Sequence, residues 1–188
     1  MAAGMPDPNN VLLHDRKLAF MCIPKAGNTS IKLALMEWYG LRGDPHRVFK
    51  CCEVPKGYFA IAFVRHPYSR LLSCYADKIL KNWMPSLDRF GMSEGMGLQD
   101  FIDAVCATPD KVATGSGQHF RSQYYDLQNR PNITGRVERF KTDWRRVQRL
   151  LPGLPDLGHH NAIQHDLTLT PDQKHQIDRR YAADWVYM

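Results

Sequence analysis

Pro24-Lys25-Ala26-Gly27-Asn28-Thr29-Ser30 stands between an apolar run at residues 18–23 and a helix-like run at residues 31–39. It reads as a strand end, a tight turn and a helix start. Pro24 stops the apolar run, Gly27 admits positive φ, and Thr29 and Ser30 carry hydroxyls able to cap the next helix. Backbone N–H groups converging at a helix start, where the helix dipole is positive, form an anion nest, and Lys25 adds a full charge beside it. The stretch therefore predicts a site for a phosphorylated or sulfated nucleotide.

Outward from the turn, residues 18–23 (Leu-Ala-Phe-Met-Cys-Ile) are the short uninterrupted apolar run of a buried parallel strand. Ile31, Leu35 and Trp38 or Tyr39 follow at helical spacing, with Lys32 and Glu37 off that face and Gly40 placed to end the helix. Residues 41–57 read as a loop with a short helix, holding His46 and the Cys51-Cys52 pair. Residues 58–64 (Tyr-Phe-Ala-Ile-Ala-Phe-Val) make a second central strand that ends in Arg65-His66-Pro67, and Pro67 suits a first helical turn. Tyr68, Leu72, Tyr75 and Ile79 give that helix its apolar stripe, with Arg70, Asp77, Lys78 and Lys81 off it. Two strand-turn-helix units with basic turns are expected side by side in a parallel sheet, where open α/β sheets bind ligands.

Residues 84–97 hold Pro85, Gly91, Gly95 and Gly97 and read as a mobile loop over or beside the site. Leu98, Phe101, Ile102 and Val105 mark a helix that stops before Pro109. A weak strand is expected within residues 133–140. Trp144, Val147, Leu150 and Leu151 then share a helical face with Thr142 as N-cap, and Thr170-Pro171-Asp172-Gln173 reads as a capping box before a last helix striped by Ile177, Tyr181 and Trp185. Trp144 and Trp185 are assigned to the core.

A length of 188 residues fits a single domain over 1–188 with residues 1–10 as a flexible start, and 44% hydrophobic with 23% charged residues are the proportions of a soluble globular protein. No apolar run approaches the roughly 20 residues of a membrane span, and the N-terminus lacks the features of a signal peptide, so a cytoplasmic location is expected. Five cysteines without CxxC spacing read as free thiols in a reducing compartment. His159-His160 and His165 lack acidic or cysteine partners at ligand spacing, so no metal is expected. The net charge of +6 favours an anionic partner without naming it. The basic residues are not interleaved with aromatics, which argues against nucleic acid.

Lys25 precedes the only glycine of its loop, so Pro24 to Ser30 is not a Walker A motif. It resembles the 5′-phosphosulfate loop of the sulfotransferases. Phe63-Val64-Arg65-His66-Pro67-Tyr68-Ser69-Arg70-Leu71-Leu72-Ser73-Cys74-Tyr75 resembles that family's 3′-phosphate segment, in which a strand-end arginine and a serine eight positions on hold the phosphate. His119-Phe120-Arg121-Ser122-Gln123 resembles the His-aromatic-x-Pro-Gln element of the carbohydrate sulfotransferases, with Ser122 in the place of the proline. Gly135-Arg136-Val137-Glu138-Arg139-Phe140 with Asp143, and Tyr181-Ala182-Ala183-Asp184-Trp185, resemble two further segments. The likeness runs from about Leu18 to the end and is that of a compact, soluble bacterial or phage member of the carbohydrate and heparan-type group.

The resemblance implies a three-layer α/β sandwich with a central parallel sheet of the P-loop sulfotransferase type. It implies adenosine 3′-phosphate 5′-phosphosulfate (PAPS) as donor, held by Lys25, Ala26, Gly27, Asn28, Thr29 and Ser30 at the 5′ end and by Arg65 and Ser73 at the 3′-phosphate, with no metal. Lys25 would neutralise the leaving phosphate. His46 or His119 would be the base, His46 being preferred because related heparan-type enzymes carry their catalytic histidine between the loop and the second strand. The acceptor would be a hydroxyl of a carbohydrate or small molecule; neither its identity nor the oligomeric state is legible. Two other classes stay open: a P-loop kinase-like phosphotransferase, which would need magnesium ligands, and a non-catalytic protein binding phosphonucleotides or nucleic acid.

Overall fold

The computed structural model describes residues 10–49, 53–128, 131–158 and 166–188. The expectations for residues 1–9, for Cys51-Cys52 and for His159-His160 and His165 fall outside these. The described chain forms two compact units, one from residues 10–65 and 127–158 and the other from 66–126 and 166–188.

The first unit carries a four-stranded sheet in the order β1 (Val11–Leu13), β2 (Leu18–Met21), β3 (Phe59–Val64), β4 (Ile133–Arg136). β2 pairs with β3 in parallel from Leu18↔Phe59 to Met21↔Ala62, and β3 with β4 from Ile61↔Ile133 to Val64↔Arg136. The fold class is therefore mixed α/β with a mostly parallel sheet. The edge strand β1, which the sequence reading did not include, runs antiparallel to β2 beside the parallel strands β2, β3 and β4. All four residues of β2 are buried, as its unbroken apolar run requires. The helices α1 (Asn28–Trp38) and α2 (Pro45–Val48) belong to this unit.

The second unit is helical: α3 (Pro67–Tyr75), α4 (Leu98–Ala107) and α5 (Gln123–Asp126), with α7 (Pro171–Arg180) contributed by the C-terminal segment. Between α5 and α7 in the chain, α6 (Phe140–Leu150) returns to the first unit, where Phe20, Phe63 and Trp144 pack with ring centroids 6.0–6.2 Å apart around the core. Thr170 and Gln173 form the expected capping box on α7.

Several local expectations change. α3 passes into a π-helical turn at Ala76–Lys81, so the continuous stripe from Tyr68 to Ile79 is interrupted, although Ile79 is still buried. Arg70, placed off the stripe, is 2% exposed because its guanidinium donates to the carbonyls of Arg121 at 2.7 Å and Gln118 at 3.3 Å. Lys32 is likewise buried, since α1 is enclosed well beyond the stripe of Ile31 and Leu35. The loop at 84–97 is packed rather than loose: Pro85–Phe90 forms a 3₁₀ turn, and Leu87 and Met92 are buried. α6 starts at Phe140, with no cap from Thr142, because a 3₁₀ turn at Val137–Arg139 leads straight into it. Leu150 is exposed, and Trp185 is only half-buried.

A candidate anion-binding site

β2 delivers the chain into a turn closed by the Ala26 N–H donating to the Ile23 carbonyl at 3.1 Å. Lys25 and Gly27 both take left-handed backbone conformations, φ 68° and 80°, and α1 starts immediately after. No side chain caps α1, and its first turn holds no acidic residue. The first intrahelical bond runs from the Ile31 N–H to the Gly27 carbonyl. An α1 N-terminus of this kind presents N–H groups and the positive end of a dipole to an anion.

Gly27 is required twice, by its positive φ and by packing. A Cβ there would lie 2.5 Å from Phe140 Cζ, so the first residue of α6 supports the loop from below. Phe140 in turn packs against Phe63 at 5.0 Å between centroids, and a Cβ on Gly135 would meet Phe63 Cε1 at 2.4 Å. Gly135, Phe63, Phe140 and Gly27 therefore form one column in which both glycines admit an aromatic ring. Asp143, 4% exposed, fixes the start of this segment by accepting the Arg136 N–H at 2.8 Å.

His46 sits on α2, where Asp44 caps the helix by accepting the His46 N–H at 2.8 Å and Pro45 fills the first helical position. Its Nε2 lies 3.4 Å from Thr29 Oγ1 in the first turn of α1. Arg65, at the end of β3, brings Nη1 to 3.5 Å from the Lys25 carbonyl oxygen. The loop, His46 and Arg65 are thus brought together within one unit, with Lys25, Thr29 and Arg65 half-buried and His46 exposed.

The remaining sequence candidates belong to the second unit. Ser73 lies buried on α3, and His119 ends a 3₁₀ turn at Gly115–His119, half-buried. His66 caps α3 by accepting the Tyr68 N–H. The two segments around residues 119–123 and 181–185 lock each other. Asp184, fully buried, accepts from Ser122 Oγ at 2.6 Å and from the Gln123 and Tyr124 N–H groups at 3.1 and 2.8 Å, while Tyr181 Oη donates to the Phe120 carbonyl. Ser122 also donates its N–H to Asp110 at 3.0 Å, a bond that proline has no hydrogen to make.

Phe140 and Thr29 were not singled out individually for support and contact, and neither role has a local signal, because each depends on a residue far away in the chain. Asp44 was legible: an Asp-Pro pair just before His46 is an N-cap signature. Among the described residues no three His, Cys, Asp or Glu side chains gather as a metal site, and no helix is long and apolar enough to cross a membrane. Cys22, Cys74 and Cys106 are free thiols. Against known proteins, residues 9–185 match the family model described as the sulfotransferase family. No curated protein and no solved structure matches the chain.

Proposed function

Because the chain belongs to the sulfotransferase family, we propose that it moves a sulfuryl group from PAPS to a hydroxyl of a carbohydrate acceptor, with His46 as base. The observation that carries this reading is the meeting of an uncapped α1 N-terminus, the Lys25 loop and the His46 imidazole within one unit. The fit to a doubly anionic donor is chemical: the N–H groups of α1 and Lys25 suit the 5′-phosphosulfate, and Arg65 suits the 3′-phosphate. Ser73 is assigned to that same phosphate by the resemblance.

In this reading the acceptor oxygen attacks sulfur while the bond from sulfur to the 5′-phosphate oxygen breaks, leaving adenosine 3′,5′-bisphosphate. The acceptor proton passes to His46, histidine being the residue type suited to act as a base near pH 7. Lys25 and the loop N–H groups stabilise the charge that grows on the departing phosphate. A hydrogen bond of 3.4 Å to Thr29 is long, as such contacts often are before substrate closes the site. His119 remains the second candidate for the base. The single-domain organisation belongs to this reading, supported by a family match that takes in residues of both units.

Calorimetric titration with adenosine 3′,5′-bisphosphate, set against ATP with magnesium, tests the donor. Tight binding that depends on the 3′-phosphate is expected. Preference for ATP, or indifference to the 3′-phosphate, overturns the reading in favour of a phosphotransferase.

A further inference from the structure

Lys32, on the second turn of α1, is 1% exposed and ranks among the most fully buried large side chains. Burying an ammonium is costly unless a carboxylate or several hydrogen-bond acceptors meet it. Lys32 forms no ion pair or hydrogen bond with any described residue. Carboxylates of the same unit are engaged elsewhere: Asp15 accepts from Tyr39 Oη, Asp44 from the His46 N–H and Asp143 from the Arg136 N–H. Glu37, the acid of α1 itself, is exposed and, five positions on, lies off the face that carries Lys32.

Helix geometry says where the ammonium goes. Side chains of an α-helix lean toward its N-terminus, over the residues three and four positions earlier. For Lys32 these are Thr29 and Asn28, the first turn of α1, where no side chain caps the helix and its N–H groups are offered to an anion. A second observation agrees. The Lys32 charge is felt by Cys22, which follows Met21 at the end of β2 and directly precedes the turn that Ile23 and Ala26 close. Burial pushes that thiol up to about 11, so it keeps its proton and is no counter-ion. The charge thus lies toward the anion nest, with nothing among the described residues to balance it.

We propose that Lys32 is the inner cation of this site, supplying the counter-charge to the 5′ end of a nucleotide that carries two negative charges there. Lys25 and the loop N–H groups meet that end from one side, and Lys32 meets it along the first turn of α1. The proposal rests on the sulfotransferase reading only for the identity of the nucleotide; the pairing of Lys32 with an anion needs no sulfuryl transfer.

Calorimetric titration of the full chain with adenosine 3′,5′-bisphosphate and with adenosine 3′-monophosphate isolates the 5′ end, because the ratio of the two affinities is what the 5′-phosphate contributes. Lys32→Met, of similar length and without charge, should shrink that ratio by about tenfold or more, the usual weight of a charge-assisted hydrogen bond. Affinity for adenosine 3′-monophosphate should stay at the parent value, whereas a role confined to packing would move both affinities alike. Lys32→Arg keeps the charge and should keep most of the ratio. Inorganic pyrophosphate, which brings the charge without the adenosine, should raise the thermal midpoint of the parent and much less that of Lys32→Met. Without ligand, Lys32→Met should melt at or above the parent temperature, since it removes the desolvation of an unbalanced charge. A ratio unchanged by Lys32→Met overturns the proposal, as does an equal pyrophosphate effect on both proteins or none on the parent. A Met variant that melts lower, or does not fold, also overturns it by showing the ammonium already satisfied within the protein. The donor assignment fails separately, if adenosine 5′-monophosphate binds the parent as tightly as the bisphosphate while the Lys32 result stands.

Discussion

His46 Nε2 stands 3.4 Å from Thr29 Oγ1 on a helix whose own cap, Asp44, holds the backbone beneath it. Its position depends on a short local structure and its chemistry on the imidazole, so the two separate on mutation. His46→Ala should lower turnover by about 100-fold to 10,000-fold, the usual contribution of a positioned base, while affinity for adenosine 3′,5′-bisphosphate stays at the parent value. Unchanged turnover would remove His46 from the mechanism and leave His119. Alkaline pH acts on different residues. Burial, then donation to Asp178, pushes Tyr68 up to about 12, and burial pushes Cys22 up to about 11. Both groups bind their protons more tightly when folded, so their contribution to stability is complete below pH 9 and is lost as pH rises from 9 to 12. The denaturant midpoint should fall across that window, and Tyr68→Phe should flatten the part above pH 10.

At the scale of elements, α5 and the C-terminal turn are joined through Asp184, and Ser122 is the residue that distinguishes this joint. Ser122→Pro removes the donor to Asp110 and the hydroxyl held by Asp184. Two hydrogen bonds to carboxylates, one of them fully buried, should cost about 3 kcal/mol together, read as a lower urea midpoint at unchanged slope; a midpoint equal to the parent's would show that the joint does not depend on them. This joint was not legible beforehand, because Asp184 and Ser122 lie 62 positions apart. Elements with local causes were legible. β2 and β3 declared themselves by unbroken apolar runs, and α7 by Thr170 and Gln173. β1 did not: three residues, Val11–Leu13, are too few to show a period. Arg70 misled because helical spacing assigns a face and says nothing of carbonyls approaching from another segment, and α6 begins before Thr142 because the 3₁₀ turn at Val137–Arg139 runs straight into Phe140. Within the site, the loop and Arg65 could be picked out as residues, while the contact between His46 and Thr29 needed coordinates.

At the scale of the whole molecule, each unit is assembled from two separated stretches of chain, and the net charge of +6 is concentrated in part on one helix face. Stability is a property of all of it, typically about 5–15 kcal/mol for a domain, and a change of one kilocalorie anywhere is visible in the thermal midpoint. Lys25 makes such a difference. A side chain other than glycine held at φ 68° costs on the order of 1 kcal/mol. Lys25→Gly should therefore raise the thermal midpoint of the ligand-free protein while abolishing turnover; a lower midpoint would show that the loop is unstrained. A campaign that selects variants of this protein for heat resistance alone would thus favour the loss of Lys25 early, and its most durable products would be inert.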